Sequence, residues 1–157
     1  MKPATVVLSL ILILMLAFGA FFYTGGTLKA QVNSITAGAA EYPDAFESIR
    51  SVVASGAAPR QFSQDALDDP ANYSLVDVTI NLTNRGIFAA EWLNVQLEPV
   101  TGDVAVYSLS GDGMDVSARS TAQVNLKLVT RAPAGSPRTV SIQYYVYGVS
   151  RTIRLEI

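Results

Sequence analysis

From Tyr73 onward the apolar residues fall on every second position, and that alternation leaves few folds open to this chain. Val76, Val78, Ile80 and Leu82 alternate with Asp77, Thr79, Asn81 and Thr83. Successive side chains of an extended chain point to opposite faces, so the pattern predicts a strand with one face buried. It returns in Leu93, Val95 and Leu97, which stop at Pro99. It returns again in Val104 and Val106, in Ala122 to Leu128, in Val140 to Val146, and in Ile153, Leu155 and Ile157. Asn84-Arg85-Gly86, Gly111-Asp112-Gly113, Ala134-Gly135-Ser136-Pro137 and Gly148 are the turns between them. Parallel neighbours would need crossovers of about a dozen residues, and the spacing leaves no room for them. The expectation is a mainly β, antiparallel sandwich, with Leu155 and Ile157 on its last edge.

The chain before Tyr73 is different. Asp44 to Ser55 reads as a short amphipathic helix, with Phe46, Ile49 and Val53 on one face, Asp44 as its cap, Glu47 three residues on, and Gly56 beyond its end. Leu28 to Tyr42 is rich in small residues and reads as a helix continuation or a linker. Ala57-Ala58-Pro59 and Asp68-Asp69-Pro70 are breaks.

Ahead of all this, Val6 to Tyr23 carries no charge and no proline. A bilayer core of about 30 Å needs about 20 helical residues at roughly 1.5 Å each, and Ala4 and Thr5 complete that length. The run reads as a transmembrane helix. A cleaved secretory signal, with its apolar core of about 7–15 residues, is the alternative; candidate cleavage points end at Gly19, Ala20 and Ala30. Without cysteine there is no site for a lipid-modified N-terminus. Lys2 and the α-amine before the run favour a cytoplasmic N-terminus and an extracytoplasmic C-terminal domain, with Phe21, Phe22 and Tyr23 as an interfacial aromatic belt. Thr24-Gly25-Gly26-Thr27 breaks the helix. The expected organisation is an anchor over 1–27, a juxtamembrane linker with its helix (44–55) over 28–72, and a β-sandwich over 73–157.

Composition narrows the chemistry. The chain has no Cys and no His. Ser-His-Asp and Cys-His nucleophilic sites are therefore impossible, and the commonest zinc ligand is missing. A Ser-Lys dyad would have to use Lys2, Lys29 or Lys127; the first two flank the apolar run and the third points outward from a strand. Net charge is −2, which does not suit nucleic acid. The charge is segregated along the chain: twelve acids from Glu41 to Asp115 face three arginines, and six cations from Arg119 onward face Glu156. Interleaved strands would average this out. Asp112 and Asp115, with Asp103 nearby, have carboxylates that suit calcium, but Asp beside Gly is first a turn signal; the same holds for Asp65, Asp68 and Asp69. No cofactor and no metal is expected. Asn72-Tyr73-Ser74 and Asn81-Leu82-Thr83 fit the glycosylation triplet and read as ordinary turn and strand residues.

The most suggestive set is aromatic. Trp92, Tyr145 and Tyr147 fall on the outward phase of their strands. If those strands are neighbours, the three rings form an exposed interaction face of the kind found at protein interfaces and sugar sites. The competing expectation is that the Asp44 helix or the Pro59–Asn72 segment covers them.

Val76-Asp77-Val78-Thr79-Ile80-Asn81-Leu82-Thr83-Asn84-Arg85-Gly86 resembles the opening strand and turn of immunoglobulin-like cell-surface modules of the CARDB type, with a later strand following Ala118-Arg119-Ser120-Thr121. The resemblance covers Tyr73 to Ile157. It implies an immunoglobulin-like β-sandwich acting as an extracytoplasmic interaction or spacer module, and it brings no catalytic residues. The functional expectation is a non-enzymatic, membrane-anchored subunit of a cell-envelope assembly with a protein partner. The alternative is a carbohydrate-binding or wall-binding module.

Overall fold

The computed structural model describes the backbone of residues 3–24 and 28–157, and the side chains of 6–20 and 28–157. Helix α1 spans Pro3–Thr24. The side chains of residues 6–20 are all exposed, among them Leu8, Met15 and Phe18. Among the described residues no helix is long and apolar enough to cross a membrane. The expected belt of Phe21, Phe22 and Tyr23 and the break at 25–27 lie outside the described side chains.

The rest is an antiparallel sandwich. Strands β1 (Leu28–Gly38), β2 (Arg60–Gln61), β3 (Ser74–Asn84), β5 (Asp103–Ser110) and β6 (Thr121–Thr130) form one sheet in the order β1-β3-β6-β5-β2. Strands β4 (Glu91–Glu98), β7 (Thr139–Val146) and β8 (Val149–Glu156) form the other, in the order β4-β7-β8. Every pair is antiparallel. The alternating residues fill the space between the sheets: Val78, Ile80, Leu82, Val95, Val124, Leu128, Val140 and Ile142 are fully buried. Burying a side chain of this size stabilises a fold by about 1.5–3 kcal/mol, so this two-layer core is the main stabilising element. The last strand, β8, is an edge, and its Ile153 and Leu155 are half-buried, as is Ile157 just beyond it.

Leu28–Tyr42 is neither helix nor linker. It is strand β1, paired residue for residue with β3 from Leu28↔Asn84 to Gly38↔Ser74, and then a short 3-10 turn at Ala39–Glu41. The sandwich therefore begins at Leu28. Leu28, Ala30 and Val32 do face the core, but residues 33–36 are all exposed and dilute the period. Pairing to β3, a partner distant in sequence, makes this segment a strand.

Helix α2 (Pro43–Ala54) buries Phe46, Ile49 and Val53, the expected face. Its start differs from expectation. Tyr42 is the cap, Pro43 takes the first helical position, and no side chain caps the helix. Proline needs no N–H partner there and its fixed φ suits a helix start. Asp44 thus lies inside the first turn. At the far end Gly56 (φ +71°) and Ala57 donate to Val53 and Val52, closing the helix by a Schellman pattern. The helix packs with Leu67 and Tyr73 on Val104, Ala105 and Val129, the outer face of the five-stranded sheet.

The two charge blocks interleave. Lys127 on β6 pairs with Asp77 on β3 at 2.9 Å, Arg131 lies 3.6 Å from Asp65 and 3.9 Å from Asp68, and Arg138 binds Asp103 at 2.7 Å. Each pair joins a late cation to an early acid.

Candidate functional site

The strand registers define two ends of the sandwich. One end holds Leu28, Asn84, Thr121, Glu91 and Tyr145; the other holds Gly38, Ser74, Thr130, Glu98 and Thr139. The three aromatic candidates all lie at the first end, the end at which β1 begins.

Trp92 is 72% exposed and Tyr147 71%. Both have left-handed backbones, at φ +53° and +52°. Such a conformation is strained for a bulky residue, at roughly 1–3 kcal/mol, and persists only where neighbours impose it. At Trp92 they can be named. The β4–β7 register shifts between Glu91 and Asn94, making a bulge. Asp115 accepts the Trp92 N–H at 2.9 Å, Met114 O accepts the Leu93 N–H at 3.0 Å, and Asp112 accepts the Val95 N–H at 2.8 Å. The 111–116 loop therefore fastens this bulged edge of β4 and turns the indole outward. Tyr147 sits with Gly148 in the tight β7–β8 turn.

The ring contacts at this end run in two pairs. Trp92 meets Tyr145 edge-on, at 6.3 Å and 75°. Tyr147 meets Phe88, at 5.2 Å and 50°. Trp92 and Tyr147 stay exposed: α2, with Leu67 and Tyr73, packs on the outer face of the opposite sheet, and Arg60 and Phe62 reach Val95 O and the inter-sheet core instead. A cleft of about 420 Å³ lies beside Trp92 and Tyr145, lined by Asn94, Asp112, Gly113 and Gln143. Ile87 (44% exposed) and Val149 (54%) stand at the same end. Sequence reasoning missed Ile87 and Phe88. Two bulky apolar residues directly after a glycine turn, outside any alternation, were the signal that could have found them.

The base of this end is a polar clamp. Asn84 is buried; its amide donates to Phe88 O (2.8 Å) and Val116 O (3.0 Å) and its oxygen accepts the Gly86 N–H (2.9 Å). Tyr144 Oη, across the sandwich, accepts the Leu28 N–H at 3.1 Å.

The carboxylates weighed for calcium are not brought together. Asp112 and Asp115 hold backbone N–H groups at the first end, while Asp103 lies at the second. There Arg138 Nε and Nη2 grip both Asp103 oxygens at 2.7–3.1 Å, Val100 N–H donates to Asp103 at 2.9 Å, and Arg138 also reaches Thr130 and Ser136 O. Burial pushes the Asp103 pKa up, but the bonds from Arg138 and Val100 outweigh it and hold the carboxyl below the usual range. Asp65 and Asp68 converge on Arg131, which donates to Tyr73 Oη and stacks 4.9 Å above its ring. Asp69 accepts the Ala71 N–H and shapes the turn into β3. Among the described residues no group of acids is placed to hold a metal ion.

No protein-family model matches the sequence, and no curated protein matches it. Among solved structures, a Bordetella pertussis protein provisionally named ApaA matches with 11% identity over 84% of this chain and 91% of its own, at a TM-score of 0.49. A FixG-related protein from Vibrio parahaemolyticus matches with 13% identity over 82% and 92%, at 0.40. The cupredoxin domain of amoB from Nitrosocaldus yellowstonii matches with 15% identity over 83% and 84%, at 0.36. The β-sandwich assignment rests on the strand order and register above.

Proposed function

We propose that this chain is a non-enzymatic, membrane-anchored subunit of a cell-envelope assembly, with its N-terminus cytoplasmic and an immunoglobulin-like sandwich of the CARDB type outside. The observation that carries the reading is the junction of α1 with β1. An apolar helix with exposed side chains leads, three residues later, into the edge strand of a sheet. A helix whose described side chains are exposed and, Ser9 aside, apolar needs an apolar surround, and lipid supplies one. The outer side of β1 pairs with no strand among the described residues. Residues 33–36 are exposed, with Ile35 at 64%. An open edge offers backbone donors and acceptors to a partner strand, with Ile35 as an apolar contact.

The test is photo-crosslinking in cells from position 35 of the full-length protein, followed by mass spectrometry of the membrane fraction. A discrete protein adduct is expected. Recovery in the soluble fraction refutes the anchor; membrane recovery without an adduct refutes the β1 interface.

The cleft beside Trp92 and Tyr145 favours a second reading, a glycan-binding module. Aromatic rings with amides and a carboxylate suit sugars. The edge-on ring pair offers no common flat face, and Asp112 already holds Val95. Binding of the full-length protein to wall polysaccharide, weakened by Tyr145→Ala, is the outcome that reading requires.

A further inference from the structure

We infer that the end of the sandwich bearing Trp92, Tyr147, Phe88 and Ile87 rests on the phospholipid surface beside the helix anchor. The inference rests on the anchored reading and adds an orientation to it.

The first observation is covalent. Thr24 ends α1 and Leu28 opens β1. The three residues between them span at most about 14 Å, whatever their conformation. Leu28 pairs with Asn84, so the loop carrying Ile87 and Phe88 begins at this end, and the registers bring Trp92 and the Tyr147 turn to it as well. No other end of the sandwich is tied so closely to α1.

The second observation is chemical. The exposed residues there are Trp, Tyr, Ile and Val, with Phe88 half-buried beneath Tyr147. Tryptophan and tyrosine collect at the headgroup level because one part of each ring system is apolar and the other bonds to water or lipid. Two of them, Trp92 and Tyr147, are turned outward by left-handed backbones.

The third observation is charge. Lys29, Arg85, Arg119 and Arg151 belong to this end, against Glu91, Asp112 and Asp115. The far end carries nine acids, among them Glu41, Asp44, Asp68, Asp69, Glu98 and Glu156, against Arg50, Arg131, Arg138 and Arg154. The first end is thus near electrical balance and the far end strongly acidic, so an anionic bilayer opposes approach of the far end much more than of the first.

The chain supplies its own probe, because Trp92 is its single tryptophan and it has no cysteine. Full-length protein is reconstituted into vesicles of phosphatidylcholine and phosphatidylglycerol and tested by flotation, then by Trp92 fluorescence. The expected result is co-flotation, a blue-shifted emission, several-fold protection from aqueous acrylamide, and strong quenching by lipid carrying a nitroxide at the headgroup. A dye on Ala134→Cys, at the far end, stays fully accessible to water. Joint Ile87→Ser and Tyr147→Ser substitution reverses the protection of Trp92. Co-flotation with Trp92 freely quenched by acrylamide overturns the docked orientation and leaves the anchor standing. Failure to co-float overturns both. A blue shift that appears only on adding wall polysaccharide also overturns it, in favour of a glycan site.

Discussion

Replacing Arg138 by methionine should destabilise the sandwich more than any surface change. The Arg138 and Asp103 side chains are 4% and 0% exposed. Arg138 joins the start of β5 in one sheet to the start of β7 in the other, and it bonds Thr130 at the end of β6. In Arg138→Met the Asp103 carboxylate stays buried with the Val100 N–H as its remaining strong donor. Breaking one partner of a buried pair costs about 3–5 kcal/mol. Domains of this kind are stable by about 5–15 kcal/mol, so roughly a fifth or more of the total is at stake. At roughly 3–5 °C per kcal/mol for a body of about 130 residues, melting should fall by about 10–20 °C. Asp103→Asn should cost a comparable amount, and the double variant Asp103→Asn with Arg138→Met much less than the sum, because it leaves no unpaired charge. The measurement is circular dichroism of the full-length protein in mild detergent, by heat and by urea. A loss below about 1 kcal/mol for Arg138→Met, typical of an exposed pair, refutes the clasp.

The same pair sets an acid limit. Asp103 has a lowered pKa in the folded state, so the unfolded chain binds its proton first as pH falls. Its stabilisation is complete above the ordinary value of 3.8 and is lost as pH drops through the lower, folded value; urea midpoints measured from pH 6 to 2 should fall there and be flatter in Asp103→Asn. Asn84→Ala strips the partner from three backbone groups at the other end and should cost about 2–3 kcal/mol by urea denaturation; an unchanged midpoint removes the clamp from the account. Phe46→Ala opens a void between α2 and the outer sheet face and should cost about 3–5 kcal/mol, read by the same assay.

The inner faces of β3, β4, β6 and β7 are legible in the amino-acid sequence, because a half-buried strand writes its burial into alternate residues. Phe46, Ile49 and Val53 are equally plain, for the helical period. β1 is not, since its second half is exposed on an edge and only the pairing with β3 holds it. The Arg138 clasp and the bond from Asn84 to Val116 are hidden for the same reason: each joins residues brought together by topology, whereas Asn84 meets Gly86 and Phe88 within its own turn. Trp92, Tyr145 and Tyr147 stand out by strand phase. Phase cannot reveal that a bulge and two aspartates turn Trp92 outward, nor that Tyr147 takes Phe88 as its partner.

Finding β1 where a linker was expected changes what the protein can reach. A flexible 28–72 segment would let the sandwich wander roughly 35–40 Å from its anchor. In the anchored reading we propose, only three residues separate α1 from β1, and the sheet leaves the bilayer at once. Ile35 then stands about 23 Å further along the strand, at about 3.3 Å per residue, so a partner at the β1 edge must itself lie close to the membrane. The tether length is thus a functional variable separable from stability. Ten Gly-Ser residues inserted between Thr27 and Leu28 lengthen the link from three residues to thirteen, which raises its r.m.s. reach to roughly 18–22 Å, and touch no core contact. Flotation and the melting temperature should stay as they are, while Trp92 loses protection from acrylamide and the adduct from position 35 weakens. If Trp92 stays protected after the insertion, the lipid contact does not depend on the short tether, and the orientation argument from chain length fails.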